Sequence, residues 1–164
     1  MEQKLRIEDL LDPTKAEEHI PELTTFFEGG GTWQVLMGLS EEALEWQYSA
    51  GYALYEKGKV EEAAATFNTL TILNPYDGRY WFALGSSHYL LGDYEEAAQA
   101  YELSAAIDER SPGPKFQAAI CLEQLGRRKE ARLAYEEALA LAQRHSPEDL
   151  LVVEARSRLA KLRD

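Results

Sequence analysis

Apolar residues recur along most of this chain at intervals of three and four, which is the period of an amphipathic helix. The pattern predicts three helical pairs, at residues 43–57 with 60–73, 78–91 with 94–107, and 113–125 with 128–143. Ser40, followed by Glu41 and Glu42, suits the N-cap of the first of these helices. No stretch requires a β-strand, so an all-α fold is expected.

Further helical patterns flank these pairs. Apolar positions predict a short helix within residues 1–15 that ends at Pro13, and a second helix over residues 15–28. Three consecutive glycines end the second helix, because each glycine costs about 1 kcal/mol inside a helix. A Ser-Pro-Glu triplet starts a last helix, over residues 147–162, which is expected to cover the exposed face of the last pair.

The paired region repeats itself every 34 residues. Five columns recur in three copies: Gly51, Gly85 and Ala119; Gly58, Gly92 and Gly126; Glu62, Glu96 and Glu130; Ala63, Ala97 and Ala131; Phe67, Tyr101 and Tyr135. This period and these residue types match the tetratricopeptide repeat. The sequence therefore predicts a tetratricopeptide-repeat solenoid of three helical hairpins, with N-terminal helices and a C-terminal capping helix. The repeats are placed at about 44–77, 78–111 and 112–145, after an N-terminal capping or dimerisation region of residues 1–40.

The small residues of these columns have a packing role. Gly51 and its equivalents stand where two helices are expected to cross closely, and Ala63 and its equivalents do the same on the second helix of each pair. The glycines at the position of Gly58 are expected to separate one helix from the next, as a C′ glycine does.

The first helix of each repeat lines the concave side of such a stack. Its inward-facing positions are expected to be Tyr48, Tyr52, Tyr55, Arg79, Phe82, Ser86, Tyr89, Phe116, Ile120 and Glu123. A surface this rich in aromatic rings indicates an interaction site, and flat rings with phenol hydroxyls suit an extended peptide bearing proline or leucine. Packing between repeats is the alternative for any single ring.

Composition narrows the class of partner and the compartment. The formal net charge of −12 argues against a nucleic-acid partner, because phosphate would be repelled. A single cysteine, Cys121, excludes an intrachain disulfide and fits a reducing compartment. The N-terminus has no apolar run typical of a signal peptide, and no later run is long enough to span a membrane, so a cytosolic protein is expected.

Signals for catalysis and cofactors are weak. His19, His88 and His145 lie in three separate predicted elements without metal-ligand spacing. The three glycines are not followed by the Lys-Ser/Thr of a phosphate loop. Repeat grooves that clamp a C-terminal carboxylate use Lys and Asn where this chain has Tyr48 and Tyr52. We therefore expect no enzyme, no metal and no cofactor.

A closer resemblance lies in specific residues within and ahead of the repeats. They are Gly30-Gly31-Thr32, Gly38-Leu39-Ser40, Leu44-Glu45, Tyr48, Gly51-Tyr52, Tyr55, Gly58-Lys59, Asp77, Arg79-Tyr80, Leu84-Gly85, Leu91-Gly92, Tyr94, Pro114, Phe116, Ala118-Ala119, Cys121 and Leu125-Gly126. With them, residues 26–142 resemble the class II chaperones of type III secretion translocators. The Gly-Gly-Thr and Gly-Leu-Ser segments ahead of the repeats are the most specific part, and Gln117 departs from a histidine common in that family.

The resemblance implies a chaperone that binds hydrophobic translocator proteins in the bacterial cytosol and keeps them soluble and competent for secretion. A segment of the client bearing proline and leucine would lie in the concave groove. The groove residues carried over by position are Tyr48, Tyr52, Tyr55, Phe82, Tyr89 and Phe116. The other function considered is a tetratricopeptide-repeat scaffold that assembles a secretion or pilus apparatus.

The resemblance also implies a homodimer formed through the helices ahead of the repeats, around residues 20–39. The apolar residues available there are Phe26, Phe27, Trp33 and Leu36. Because every solenoid end must be covered, the same residues could instead cap the first repeat within one subunit. No nucleotide or metal is implied.

Overall fold

The computed structural model describes residues 19–145 and 150–162, and all regular structure in these ranges is helical. The helices are α1 Ile20–Glu28, α2 Trp33–Leu36, α3 Glu41–Glu56, α4 Val60–Leu73, α5 Gly78–Leu91, α6 Tyr94–Ile107, α7 Pro112–Gln124, α8 Arg128–His145 and α9 Leu150–Lys161. None of these described helices is long and apolar enough to cross a bilayer. The short helix predicted within residues 1–15 and the predicted start of the last helix lie outside the described residues.

The predicted helical pairs are confirmed, and their observed ends differ from the predicted ends by at most two residues. Each helix from α3 to α7 packs against the next helix in the chain, which is the stacking of a solenoid. The last helix, α9, packs mainly on α8 and also touches α7, so it covers the end of the stack. The all-α repeat fold is therefore confirmed, while the division of the chain at residue 40 stays a prediction.

Two glycines mark the close contacts between the helices of a pair. A Cβ atom on Gly51 would stand 2.7 Å from a ring carbon of Phe67, and one on Gly85 would stand 2.9 Å from Tyr101. Any larger residue would have to push these buried rings aside. The prediction that these positions lie at close helix crossings is confirmed.

Other glycines separate one helix from the next. Gly58, Gly92 and Gly126 have φ angles of 74°, 84° and 73°. This left-handed conformation carries no steric penalty for glycine, so the predicted breaks are confirmed. The predicted N-cap is also present, since the Ser40 hydroxyl oxygen accepts a hydrogen bond from the backbone N–H of Ala43 at 3.2 Å.

The core of each hairpin is built around a ring on its second helix. Phe67, Tyr101 and Tyr135 are all buried. Cys121 is buried as well, as expected of a small core residue, and its burial raises the pKa of the thiol to about 11. The hairpins thus have aromatic cores, on which the side chains of the first helices rest.

A carboxylate joins α9 to the last hairpin. The Tyr135 hydroxyl donates a hydrogen bond to Glu123 at 2.8 Å, and the Arg158 guanidinium donates to the same carboxylate oxygen at 3.0 Å. Burial, followed by the hydrogen bond to Glu123, raises the pKa of Tyr135 above its usual range. Glu123 was expected to line the groove, but its carboxylate is engaged by α8 and α9.

Candidate peptide-binding groove

Aromatic side chains of the first helices stand on those of the second helices in the same way in each repeat. Each pair meets edge to face, the arrangement that the charge distribution of aromatic rings favours. The centroid distances are 5.8 Å for Tyr48 and Phe67, 5.2 Å for Phe82 and Tyr101, and 5.3 Å for Phe116 and Tyr135. The aromatic rings of the first helices therefore pack on a layer of buried rings from the second helices.

The three tyrosines of α3 form one continuous cluster. The ring centroids of Tyr48 and Tyr52 are 4.9 Å apart, and those of Tyr52 and Tyr55 are 6.4 Å apart. All three side chains are half-buried, and the Tyr48 hydroxyl donates a hydrogen bond to the Tyr52 oxygen at 3.4 Å. Burial, followed by this bond, raises the pKa of Tyr48, and burial raises the pKa of Tyr55. The cluster therefore offers neutral rings and phenol hydroxyls.

An arginine of the second repeat closes one end of this cluster. The Arg79 guanidinium donates hydrogen bonds to the carboxylates of Asp77 and Glu45, and its carbon lies 5.3 Å from the ring centroid of Tyr48 and 5.8 Å from that of Tyr80. The hydrogen bonds to Asp77, and then to Glu45, raise the pKa of Arg79. The arginine thus joins two repeats while its charge is balanced.

The second repeat continues the line of rings. Phe82 is half-buried on Tyr101, whose hydroxyl donates a hydrogen bond to the Ser86 oxygen at 3.1 Å. Burial raises the pKa of Tyr101. Farther along α5, the half-buried ring of Tyr89 lies 5.5 Å from that of Tyr94. Phe82 and Tyr89 therefore retain partly exposed surface, like the tyrosines of α3.

The third repeat differs from the other two. Phe116 is only 5% exposed and Ile120 only 9% exposed, and both belong to a core cluster that includes Tyr135 and Ala155. The structure places these side chains within the last hairpin and beneath α9, with little surface to offer a ligand. Sequence reasoning missed this, because the repeat register gives the face of the helix on which a residue lies but not how deeply its side chain is buried.

A cavity of about 480 Å³ opens between the beginnings of α5 and α7. Its lining residues include the aromatic Tyr48 and Phe82, Pro114, and the acidic Asp77 and Asp108. Sequence reasoning identified Tyr48 and Phe82 but not the cavity. Other lining residues lie in the turn before α7, and the helical period does not predict the position of that turn.

The N-terminal aromatic residues form a cluster of their own. Ring centroids are 5.2 Å apart for Phe26 and Phe27 and 5.1 Å apart for Phe27 and Trp33. No residue of α1 is buried, and Trp33 is 39% exposed. In contrast, α2 is fastened to the repeats, because the Gln34 side-chain oxygen accepts a hydrogen bond from Asn74.

Within the described ranges, no group of three or more His, Cys, Asp or Glu side chains could hold a metal ion. The charged pairs on the outer helices, such as Arg127 with Glu95 and Glu130, are exposed ion pairs. The half-buried rings of α3 and α5, here called the aromatic line, and the adjoining cavity are therefore features that point to a ligand. The aromatic line consists of Tyr48, Tyr52, Tyr55, Phe82 and Tyr89. Its chemistry suits apolar side chains on an extended peptide.

Comparisons with known proteins agree with this architecture. Models of the tetratricopeptide repeat match residues 48–113 and 115–145. The chain is 35% identical over 132 residues to low calcium response locus protein H of Yersinia pestis, covering 80% of this chain and 76% of that protein.

Two solved structures are similar along most of their length. PcrH of Pseudomonas aeruginosa, in complex with the chaperone binding region of PopD, has a TM-score of 0.73 and 37% identity, covering 76% of this chain and 94% of PcrH. The translocator chaperone SycD of Yersinia enterocolitica, in a structure described as an alternative dimer, has a TM-score of 0.71 and 32% identity, covering 76% of this chain and 94% of SycD.

Proposed function

Because this chain belongs to the family of low calcium response locus protein H, the tetratricopeptide-repeat translocator chaperones of type III secretion, we propose that it binds a hydrophobic translocator protein and keeps it soluble until secretion. The line of half-buried rings along α3 and α5 carries the proposal. The chain is similar to PcrH, which was solved with the chaperone binding region of PopD, and this similarity supports it.

The proposed contact surface is the predicted aromatic set. Five of its side chains are half-buried and would cover apolar side chains of the client: Tyr48, Tyr52, Tyr55, Phe82 and Tyr89. Phe116 would act beneath them by fixing the third hairpin, because it is buried against Tyr135. Binding would bury apolar surface of these client side chains, and each Å² buried stabilises the complex by about 25 cal/mol.

The chemistry of this surface would allow the chaperone to hold a client segment in an extended form. An extended segment carries its own unpaired backbone groups, and phenol hydroxyls can hydrogen-bond to them. The rings are held by other rings, so little side-chain order needs to be created on binding. The net charge of −12 would help to keep the complex in solution.

We also propose that residues 1–40 form a dimerisation region ahead of the repeats at 41–164, and that the protein works as a homodimer in the bacterial cytosol. The exposed α1 and the partly exposed Trp33 support this, since such rings are costly to leave in water. The proposed role is binding rather than catalysis.

The chaperone binding region of PopD is a defined probe of the groove. We expect it to bind the purified chain in isothermal titration calorimetry, and to lose at least about tenfold in affinity with Tyr52→Ala combined with Phe82→Ala. Ile72→Ala, at a side chain 56% exposed on α4, is the control and should bind like the wild type. Stable association with a membrane-embedded secretion apparatus, together with no binding of free client, would instead indicate a scaffold.

A further inference from the structure

A second groove, here called the outer groove, lies between the second helices α6 and α8. It has a volume of about 520 Å³, and its apolar lining consists of Ala98 and Leu103 of α6 and Leu122 of α7. Ala98 is buried, Leu122 is half-buried and Leu103 is 45% exposed. The first helices carry the aromatic line, and the outer groove shares no lining residue with it. It would therefore stay open while a client lies on the aromatic line.

The repeat itself does not require leucines in the outer groove. The corresponding positions 34 residues earlier, between α4 and α6, hold Thr69 and His88 in place of Leu103 and Leu122. Both of these polar side chains make local hydrogen bonds. The helices stack equally well with polar residues at these positions, so the two accessible leucines point to a partner that covers them.

Ion pairs stand at the two ends of the outer groove. At each end one cation is shared by two carboxylates, and the groups are Arg127 with Glu95 and Glu130, and Lys115 with Glu102 and Glu137. Each group therefore has one carboxylate in excess. Glu95 and Glu102 are two turns apart on α6, which is about 10 Å along the helix axis. The leucines thus lie between two sites of net negative charge.

A basic amphipathic helix matches this surface. Cations two turns apart on such a helix would meet the two excess carboxylates, and a leucine between them would meet Leu103 and Leu122. An extended segment fits less well, because α6 and α7 use their backbone groups within their own helices and offer the groove only side chains. Such a segment would leave its own N–H and C=O groups unpaired against leucine, whereas a helix satisfies them internally.

We propose that the outer groove binds a basic amphipathic helix of a protein other than the client. This helix carries Arg or Lys two turns apart, with one large aliphatic side chain between them. The inference goes beyond the proposed function, because it concerns a different surface and a different partner. It makes the chaperone a protein with two binding sites, which can hold the client and the second protein at the same time.

A synthetic peptide of this design is the probe. It is a dye-labelled helix of alanine and glutamine with two arginines two turns apart and one leucine between them. Fluorescence anisotropy with the full chain measures its affinity. Two matched peptides, one with alanine for the leucine and one with glutamates for the arginines, should each bind at least about fivefold more weakly.

One pair of variants tests the apolar contact. Leu103→Thr gives the outer groove the residue that the chain itself has at position 69, and should lower affinity for the peptide at least about fivefold. Leu133→Thr, at a side chain 54% exposed on α8 and outside the lining, is the control and should bind like the wild type. Because both leucines are exposed, both variants should unfold at the temperature of the wild type.

A second set of variants tests the charges, which should act in opposite directions. Glu102→Gln removes the excess carboxylate at one end and should weaken binding at least about threefold, while Arg127→Gln removes a cation and should strengthen it. Glu136→Gln removes an exposed carboxylate that pairs with Arg132 on α8, and is the control. If all three variants weaken binding or none changes it, the peptide is held by the net charge of the chain, and the inference fails.

The chaperone binding region of PopD tests whether the two sites are separate. At saturating concentration it should leave the affinity for the peptide unchanged. Displacement of the peptide would show that the outer groove belongs to the client, and would overturn the inference. A fall in molar mass with Leu103→Thr in sedimentation velocity would show that a second copy of the chain fills the groove, with the same consequence.

Failure of this inference and failure of the proposed function are distinguishable. If the peptide does not bind, or if Leu103→Thr and Leu133→Thr bind it alike, the outer groove is not a helix site, whatever the PopD region does. If the peptide binds as described but the PopD region does not bind the wild type, the proposed function fails and the outer groove stands.

Discussion

The guanidinium of Arg79, in the second repeat, lies over the ring of Tyr48, in the first repeat, with 5.3 Å between the guanidinium carbon and the ring centroid. The same guanidinium binds Glu45, which stands 34 residues earlier in the equivalent position of the first repeat. One cation therefore contacts residues of two repeats and holds a ring of the proposed groove.

Removing this cation should weaken client binding more than it weakens the fold. With Arg79→Gln, Tyr48 loses its cation–π contact, and the carboxylates of Asp77 and Glu45 are left unbalanced beside the proposed groove. We expect affinity for the PopD region to fall by about two- to fivefold. Titration calorimetry and thermal unfolding are the measurements.

Arg132→Gln is the control, since it removes an exposed arginine that pairs with Glu136 on α8. It should leave affinity unchanged. If Arg79→Gln and Arg132→Gln bind alike, Arg79 does not position Tyr48.

Gly85 should be one of the least tolerant positions of the fold. A Cβ atom there would stand 2.9 Å from the ring of Tyr101, and that ring is already held between Phe82 and Ser86. We expect Gly85→Ala to lower the free energy of unfolding by about 1–3 kcal/mol, because the buried ring must shift. Urea unfolding followed by circular dichroism measures this.

Gln124→Ala, in the exposed last turn of α7, serves for comparison and should change the unfolding free energy by less than about 0.5 kcal/mol. An unchanged midpoint for Gly85→Ala would mean that the helices can separate at this crossing without cost.

Cys121 should be inert in the folded protein. Its thiol is buried, and burial raises the pKa from 9.0 to about 11, so the reactive thiolate is scarce at pH 8. Iodoacetamide at pH 8 should label it only in denaturant, as read by intact mass. Rapid labelling of the native chain would show that the third hairpin opens.

The same shift makes stability depend on pH. The folded state holds the Cys121 proton more tightly than the unfolded state, so this contribution is complete below pH 9 and is lost as the pH rises towards 11. Burial raises the pKa of Tyr101 and Tyr135 in the same direction. Urea midpoints should therefore fall between pH 9 and pH 11, and Cys121→Ala should fall less steeply.

The N-terminal rings should control self-association. Trp33→Glu places a charge in a partly exposed aromatic cluster and should shift the chain to monomers in sedimentation velocity at several concentrations. Leu133→Glu, at a side chain 54% exposed on α8, should leave the oligomeric state as it was. A wild-type chain that sediments as a monomer throughout would mean that these rings only cap the first repeat.

The repeat allowed most of the fold to be predicted, because each recurring residue has a local physical role. Gly92 ends a helix in a left-handed conformation, and Gly51 leaves room for the ring of Phe67. Both roles were predicted from the recurrence of these glycines every 34 residues. The burial of Phe116 was not visible, because the repeat register does not show that its ring joins a core cluster with Tyr135 of α8 and Ala155 of α9.

The contact between Arg79 and Tyr48 could not be predicted from the sequence. The same is true of the cavity between the beginnings of α5 and α7. Arg79 was expected to face inward, but its partners are set by how far one hairpin is rotated against the next. The cavity depends partly on a missing side chain, since Gly113 is one of its lining residues. Periodicity places residues on faces of helices but does not measure the spaces between them.

The bond of Arg158 and Tyr135 to Glu123 fastens α9 over the third hairpin. Because α9 occupies this face, no fourth hairpin can pack on the third one. The surface formed by the first helices of the repeats is therefore limited to three repeats. We expect the protein to bind one short segment of its client whatever the client's size. The rest of the client chain then remains accessible to the secretion machinery.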